Sequence, residues 1–113
     1  MGESVFIDHM GDTPMIRILD MLITGRELDY SITDIADQAG IGRATFYRMM
    51  NRLLKNKIII STRKLGNMQL YRINAADPFV NEIISFYDRL LRINMQKYFN
   101  KQKSRKMKVA VSH

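Results

Sequence analysis

Apolar residues recur along this chain in four helical runs and one pair of β-favouring runs. Met15, Ile16, Leu19, Leu22 and Ile23 repeat at helical spacing behind Thr13-Pro14, a capping hydroxyl followed by the residue best tolerated at a first helical position. That spacing predicts a helix ending near Thr24-Gly25. Ser31 is placed to cap a second helix, with Asp34 three residues on, and Ile35, Ala36 and Ala39 form its apolar side. Gly40 follows, free to take the positive φ that closes a helix, and Ala36 is small enough to let another helix cross nearby. A third helix starts at Gly42, and Phe46, Met49, Met50 and Leu53 lie at i, i+3, i+4 and i+7 along one side of it. Asn56-Lys57 ends that run. Ile58, Ile59 and Ile60 open a strand, and residues 58–63 and 68–73 pair about Leu65-Gly66-Asn67, where Gly-Asn is a hairpin turn signal.

Beyond Asp77-Pro78 a longer helical run covers residues 79–100. Its apolar residues come in doublets: Phe79/Val80, Ile83/Ile84, Phe86/Tyr87 and Leu90/Leu91, then Ile93 and Tyr98/Phe99. A lone surface helix needs a single stripe, so this broad band predicts one side on its own domain and another on a second copy. Val80, Ile83, Ile84, Tyr87, Leu90, Leu91 and Tyr98 are the expected homodimer interface. At the ends, residues 1–12 read as a loosely held arm whose short apolar patch packs against the domain or across a dimer, and 101–113 as a basic, disordered tail. The expected organisation is an arm (1–12), a core domain (13–76), a dimerisation helix (77–100) and the tail (101–113). The fold class is mainly α with a small β-hairpin: two short helices joined by a glycine turn, then a ribbon, the outline of a winged helix-turn-helix.

Charge changes the picture. The 113 residues carry a net +7, but unevenly. Residues 1–42 have eight acids and two bases, 43–76 eight bases and no acid, 77–88 three acids, and 89–113 eight bases, which together give +7. Opposite the apolar side of the third helix stand Ala44, Arg48, Asn51 and Lys55, flanked by Arg43, Thr45, Tyr47 and Arg52, with no acid among them. A solvated face ordinarily mixes signs. A helix that buries one side and shows Arg, Tyr and Asn on the other suits a DNA major groove: Arg grips guanine bidentately, Asn grips adenine, and Ala or a Thr methyl meets the thymine methyl. Thr33, near a helix N-terminus, is placed to cap that helix or to donate to a DNA phosphate, and the hairpin residues Arg63, Lys64 and Asn67 are placed for phosphates or the neighbouring minor groove.

Other chemistries find little support. There is no cysteine, so disulfides, thiolate metal sites and thiol redox sensing are excluded, and His9 and His113 are too isolated to form a metal site. No histidine–acid set or phosphate-cradling glycine loop is present, so no enzyme and no cofactor are expected. No apolar run approaches spanning length, no signal-peptide pattern opens the chain, and Phe6 stands where a myristoylation motif needs Ser or Thr. A cytoplasmic, nucleoid-associated protein with no membrane or metal partner is expected.

DIADQAGIGRATFYR, with IIISTRKLGNMQLYRIN after it, resembles the winged helix-turn-helix transcription regulators of archaea, broadly MarR- or ArsR-like, over residues 13 to about 75 and the helix that follows. The resemblance implies that the helix after the glycine turn enters the major groove, that the hairpin touches the DNA backbone, and that a terminal helix dimerises. By position it implicates Arg43 to Arg52 and Arg63 to Asn67. Gly42 departs from the pattern, which usually has Ser there. The expected function is a homodimeric, sequence-specific regulator of double-stranded DNA. The alternatives are an architectural chromatin protein with little specificity and a winged-helix protein-interaction module.

Overall fold

The structure, a computed structural model, describes residues 4–111, with side chains described through Arg105. Five helices and a two-stranded antiparallel ribbon follow in the order α1 (Val5–Met10), α2 (Pro14–Thr24), α3 (Ile32–Ala39), α4 (Arg43–Lys55), β1 (Ile59–Leu65), β2 (Met68–Ile73) and α5 (Pro78–Val111). Local chemistry sets most of the boundaries. The Thr13 hydroxyl accepts the Ile16 N–H and the Ser31 hydroxyl accepts that of Asp34. The Asp77 carboxylate accepts the N–H groups of both Phe79 and Val80 at 3.1 Å at the start of α5. Each satisfies backbone donors that a helix N-terminus leaves without intrahelical partners. Gly40 closes α3 in the left-handed region at φ 71°, with its own N–H on Asp37 O at 3.2 Å and that of Ile41 on Ala36 O at 3.0 Å. In the hairpin, Gly66 takes φ 61° at the first of the two turn residues, as a II′ turn asks.

α2, α3 and α4 pack successively, β2 lies against α2 and α3, and β1 against α4. Ile18, Leu22 and Ile23 of α2, Ile35 and Ala36 of α3, Phe46 and Leu53 of α4, and Ile59 and Ile73 of the ribbon meet in one core. Ala36 is fully buried, and its small side chain leaves room for the neighbouring helices to approach.

The two ends differ from expectation. Residues Val5–Met10, expected within a loosely held arm, form a helix capped by Ser4, and its Phe6 is buried with its ring centroid 5.1 Å from that of Tyr87. Three consecutive apolar residues are too short a pattern to declare a helix, and burial against α2 and α5 supplies the rest. At the other end, α5 does not stop near residue 100 but continues to Val111. The segment from Lys101 lacks a periodic apolar side, but it is rich in Lys, Gln, Arg and Met and has no Gly or Pro, so backbone propensity carries the helix on. The rest of the expected tail, including His113, lies outside the described residues. With α5 extending from the body, the molecule measures 66 × 28 × 25 Å. Among the described residues no helix is long and apolar enough to cross a membrane.

Candidate nucleic-acid interface

α4 is held from beneath. Phe46 and Leu53 are buried, Met49 and Met50 half-buried, and this fixes which side of the helix faces outward. Arg43, Ala44, Tyr47, Arg48, Asn51 and Arg52 are exposed, Tyr47 at 58%, while Thr45 is half-buried at the edge of the same surface. Within it, Arg48 Nη2 donates to Thr45 Oγ1 at 3.2 Å, a contact one helical turn apart that steers the guanidinium along the helix. Among the described residues, no ion pair involves Arg43, Arg48 or Arg52. The ion pairs of the body lie elsewhere: Arg17 with Asp12, and Arg26 with Asp88, where two hydrogen bonds of 2.7 and 3.0 Å tie the segment just past α2 to α5. The acid-rich first third therefore leaves the α4 arginines available.

The hairpin residues divide. Lys64 and Asn67 are exposed at its end, and Thr33 is exposed in the first turn of α3. Arg63 is also exposed, but its Nε donates to Asp29 Oδ2 at 3.0 Å, with Nη2 3.4 Å from Oδ1. The donated guanidinium hydrogen bond, followed by that of Thr62, holds the Asp29 carboxyl below the usual carboxylate range, and the same partner raises Arg63. Asp29 lies in the connection between α2 and α3, where no periodicity marks it. No sequence signal joins it to Arg63, 34 residues away.

The expected dimer residues also divide. Val80, Ile84 and Tyr87 belong to the protomer's own core, at 1, 6 and 4% exposure, which removes them from any surface a second copy can reach. The Tyr87 hydroxyl shares a 2.8 Å hydrogen bond with Thr24 Oγ1, and burial raises its pKa. Ile83 and Leu90 pack against the core edge half-buried, while Leu91 is exposed at 36% and Tyr98 at 60%. A doublet pattern shows that two sides of a helix are apolar but not which one its own domain takes. Next to the buried Val80, Ile84 and Tyr87 runs a second stripe that the expected set only grazed: Phe79, Ile83, Phe86, Leu90 and Ile93, at alternating spacings of four and three, with Ile83, Phe86 and Leu90 half-buried at the core edge, Phe79 exposed at 83% and Ile93 at 51%. Beside Phe79 an apolar cleft of about 400 Å³ opens between Met15, Leu19, Ile58 and Ile83, with Arg52 and Asn56 at its rim. Among the described residues no group of three His, Cys, Asp or Glu side chains is arranged to hold a metal ion.

Three packed helices, a left-handed glycine between the second and third, and a ribbon returning against them define a winged helix-turn-helix fold with a long C-terminal helix. No family model matches the chain, and no curated protein sequence does. Solved structures do. A double mutant of ZitR from Lactococcus lactis in its apo form is 18% identical, with TM-score 0.59 over 88% of this chain and 79% of that one. The antimony-specific transcriptional repressor AntR is 24% identical, with TM-score 0.56 over 81% and 78%. NadR in complex with 4-hydroxyphenylacetate is 15% identical, with TM-score 0.60 over 96% and 77%. These neighbours are winged-helix regulators, and at such identities the likeness is one of fold.

Proposed function

We propose that this chain is a DNA-binding transcription regulator acting as a homodimer on double-stranded DNA, with α4 in the major groove and the hairpin on the backbone or adjacent minor groove. One observation carries the reading: the outward side of α4 is acid-free, and its Arg43, Arg48 and Arg52 have no intramolecular ion-pair partner among the described residues. Desolvated or paired arginines would have little left for phosphates, whereas exposed, unpaired ones release counterions when they meet them. Arg43, Ala44, Thr45, Tyr47, Arg48, Asn51 and Arg52 form the proposed reading surface, and Thr33, Lys64 and Asn67 the proposed backbone contacts. The fold shared with a transcriptional repressor supports the same assignment. On this reading the protein works at the nucleoid, in the cytoplasm.

The proposed dimer seam is this second, partly exposed stripe of α5. Spacings of four and three repeat as a heptad, the pattern by which two helices interlock, and large apolar side chains left exposed at both ends of the stripe, Phe79 and Ile93, support an interaction surface there. Two copies related by a two-fold axis would set a pair of α4 helices about one helical turn of DNA apart.

Binding to random and to selected duplexes, each measured across a salt series, tests the reading. A regulator favours its selected site by roughly 10³-fold or more over random sequence. Equal affinity for both, with the same steep salt dependence, would instead make the protein an architectural DNA binder. Absence of DNA binding at low salt would end the nucleic-acid reading and leave a protein-interaction module.

A further inference from the structure

Asp29 is the meeting point of three donors from the wing. Thr62 Oγ1 donates to its Oδ2 at 2.8 Å, Arg63 Nε to the same oxygen at 3.0 Å, and Arg63 Nη2 lies 3.4 Å from Oδ1. The carboxylate is only 19% exposed although both wing residues lie at the surface. Thr62 and Arg63 are consecutive in β1, and consecutive strand residues ordinarily point to opposite faces. The pairing register explains how they share one acceptor. Ile59↔Ile73, Ile60↔Arg72 and Ser61↔Tyr71 pair in one frame, while Lys64↔Gln69 and Leu65↔Met68 pair in a frame shifted by one residue. The extra residue sits between Ser61 and Lys64, a bulge that re-aims side chains and bends the strand. Gln69 Nε2 donates to the carbonyls of Arg63 at 3.1 Å and Leu70 at 3.0 Å, giving the interrupted ladder replacement partners. One residue beyond Asp29, Tyr30 exchanges two backbone hydrogen bonds with Tyr71, of 2.7 and 2.8 Å. The connection between α2 and α3 therefore grips β2 by its backbone and β1 by a side chain.

We propose that Asp29 is the positioning residue of the wing: it locks the bulge at Thr62-Arg63, sets the angle at which Lys64–Asn67 is presented, and engages Arg63 so that this arginine orients the wing rather than binding phosphate. The consequence for DNA rests on the regulator reading; the lock itself does not. A wing held in place loses less conformational freedom on binding, and that saving appears as affinity.

Two measurements on the full-length chain test this. The first is fluorescence anisotropy with a labelled random-sequence duplex of about three helical turns across a salt series. The second is hydrogen exchange of the wing amides in the free protein. Removing an acid takes the net charge from +7 to +8, which by electrostatics alone strengthens DNA binding. We expect Asp29→Ala to weaken it instead, by about tenfold, with an unchanged slope of log K against log salt. Wing amides should exchange faster. Asp29→Asn and Arg63→Ala, each of which leaves Thr62 an acceptor at residue 29, should both fall between the native chain and Asp29→Ala in wing exchange. Tighter binding by Asp29→Ala, unchanged wing exchange, or a salt slope reduced by about 0.9 in Arg63→Ala would each overturn the proposal, the last by assigning Arg63 to a phosphate. If the native chain binds no duplex, the regulator reading fails, while the exchange comparison still decides whether Asp29 holds the wing.

Discussion

Lys57 occupies a backbone conformation that residues with a Cβ disfavour. It sits just past α4 at φ 55°, its N–H on Leu54 O at 3.1 Å, while the next residue, Ile58, donates to Leu53 O at 2.9 Å. The same two-bond closure ends α3 around Gly40. A lysine in this position carries a left-handed penalty that glycine avoids, so Lys57→Gly should stabilise the fold by about 1 kcal/mol, read by denaturant unfolding. Gly40→Ala should do the reverse, since its Cβ would also lie 3.2 Å from Arg17 Nη1. Roles within the proposed reading surface separate at the same scale. Arg48→Ala or Asn51→Ala should reduce discrimination between duplexes by about 1–3 kcal/mol, whereas Lys64→Ala should weaken all sequences alike. A uniform loss for Arg48→Ala in competition binding would deny it a base-reading role.

At the scale of elements, α5 carries two apolar stripes with different destinations. Val80, Ile84 and Tyr87 close the protomer's core; Phe79, Ile83, Phe86, Leu90 and Ile93 form the proposed seam. Substitutions on the two stripes should have different effects. Ile84→Ala leaves a cavity in a packed interior and should cost about 2–5 kcal/mol of folding stability. Ile93→Glu places a charge on an exposed position, should change folding of the protomer little, and should lower the mass seen by light scattering from twice 13.2 kDa to 13.2 kDa. A chain that is already monomeric before substitution would remove the seam from the account. The helical periods of α2, α3 and α4, their caps and the hairpin turn were all legible from residue spacing, because each is a local match between side chains and one backbone period. The stripe that α5 turns inward was not, since both stripes satisfy that period equally well.

Across the whole molecule, ion pairs join segments distant in sequence. Arg26 and Asp88 connect the segment just past α2 to the first third of α5, and the guanidinium hydrogen bonds lower the Asp88 pKa from 3.8 while raising that of Arg26. A carboxylate whose folded pKa lies below its unfolded value contributes stability above the unfolded pKa and loses it as pH falls through the folded one. Thermal unfolding followed downward from neutral pH should therefore show a loss below about pH 4, in which Asp12, Asp29 and Asp88 all share. Asp88→Asn should make that acid loss smaller. An identical acid profile in the variant would mean that the Arg26 pair contributes nothing measurable, a common outcome for partly exposed pairs. The charge map is also a property of the whole: Asp12 pairs with Arg17 and Asp29 with Arg63, and the α4 arginines are left facing outward.

By itself, the sequence determined three helices of the body with their stops, a hairpin turning at Gly66-Asn67, and an unbroken acid-free stretch from Arg43 to Ala76. All of these are written within a few residues of one another, where periodicity, capping and turn chemistry act. Only the tertiary structure decided that Phe6 docks on Tyr87 and helps turn an expected arm into a helix, which stripe of α5 closes the core, and that Asp29 takes up Arg63. Those contacts join residues tens of positions apart. Whether they form depends on the packing of the whole chain, which no local pattern encodes.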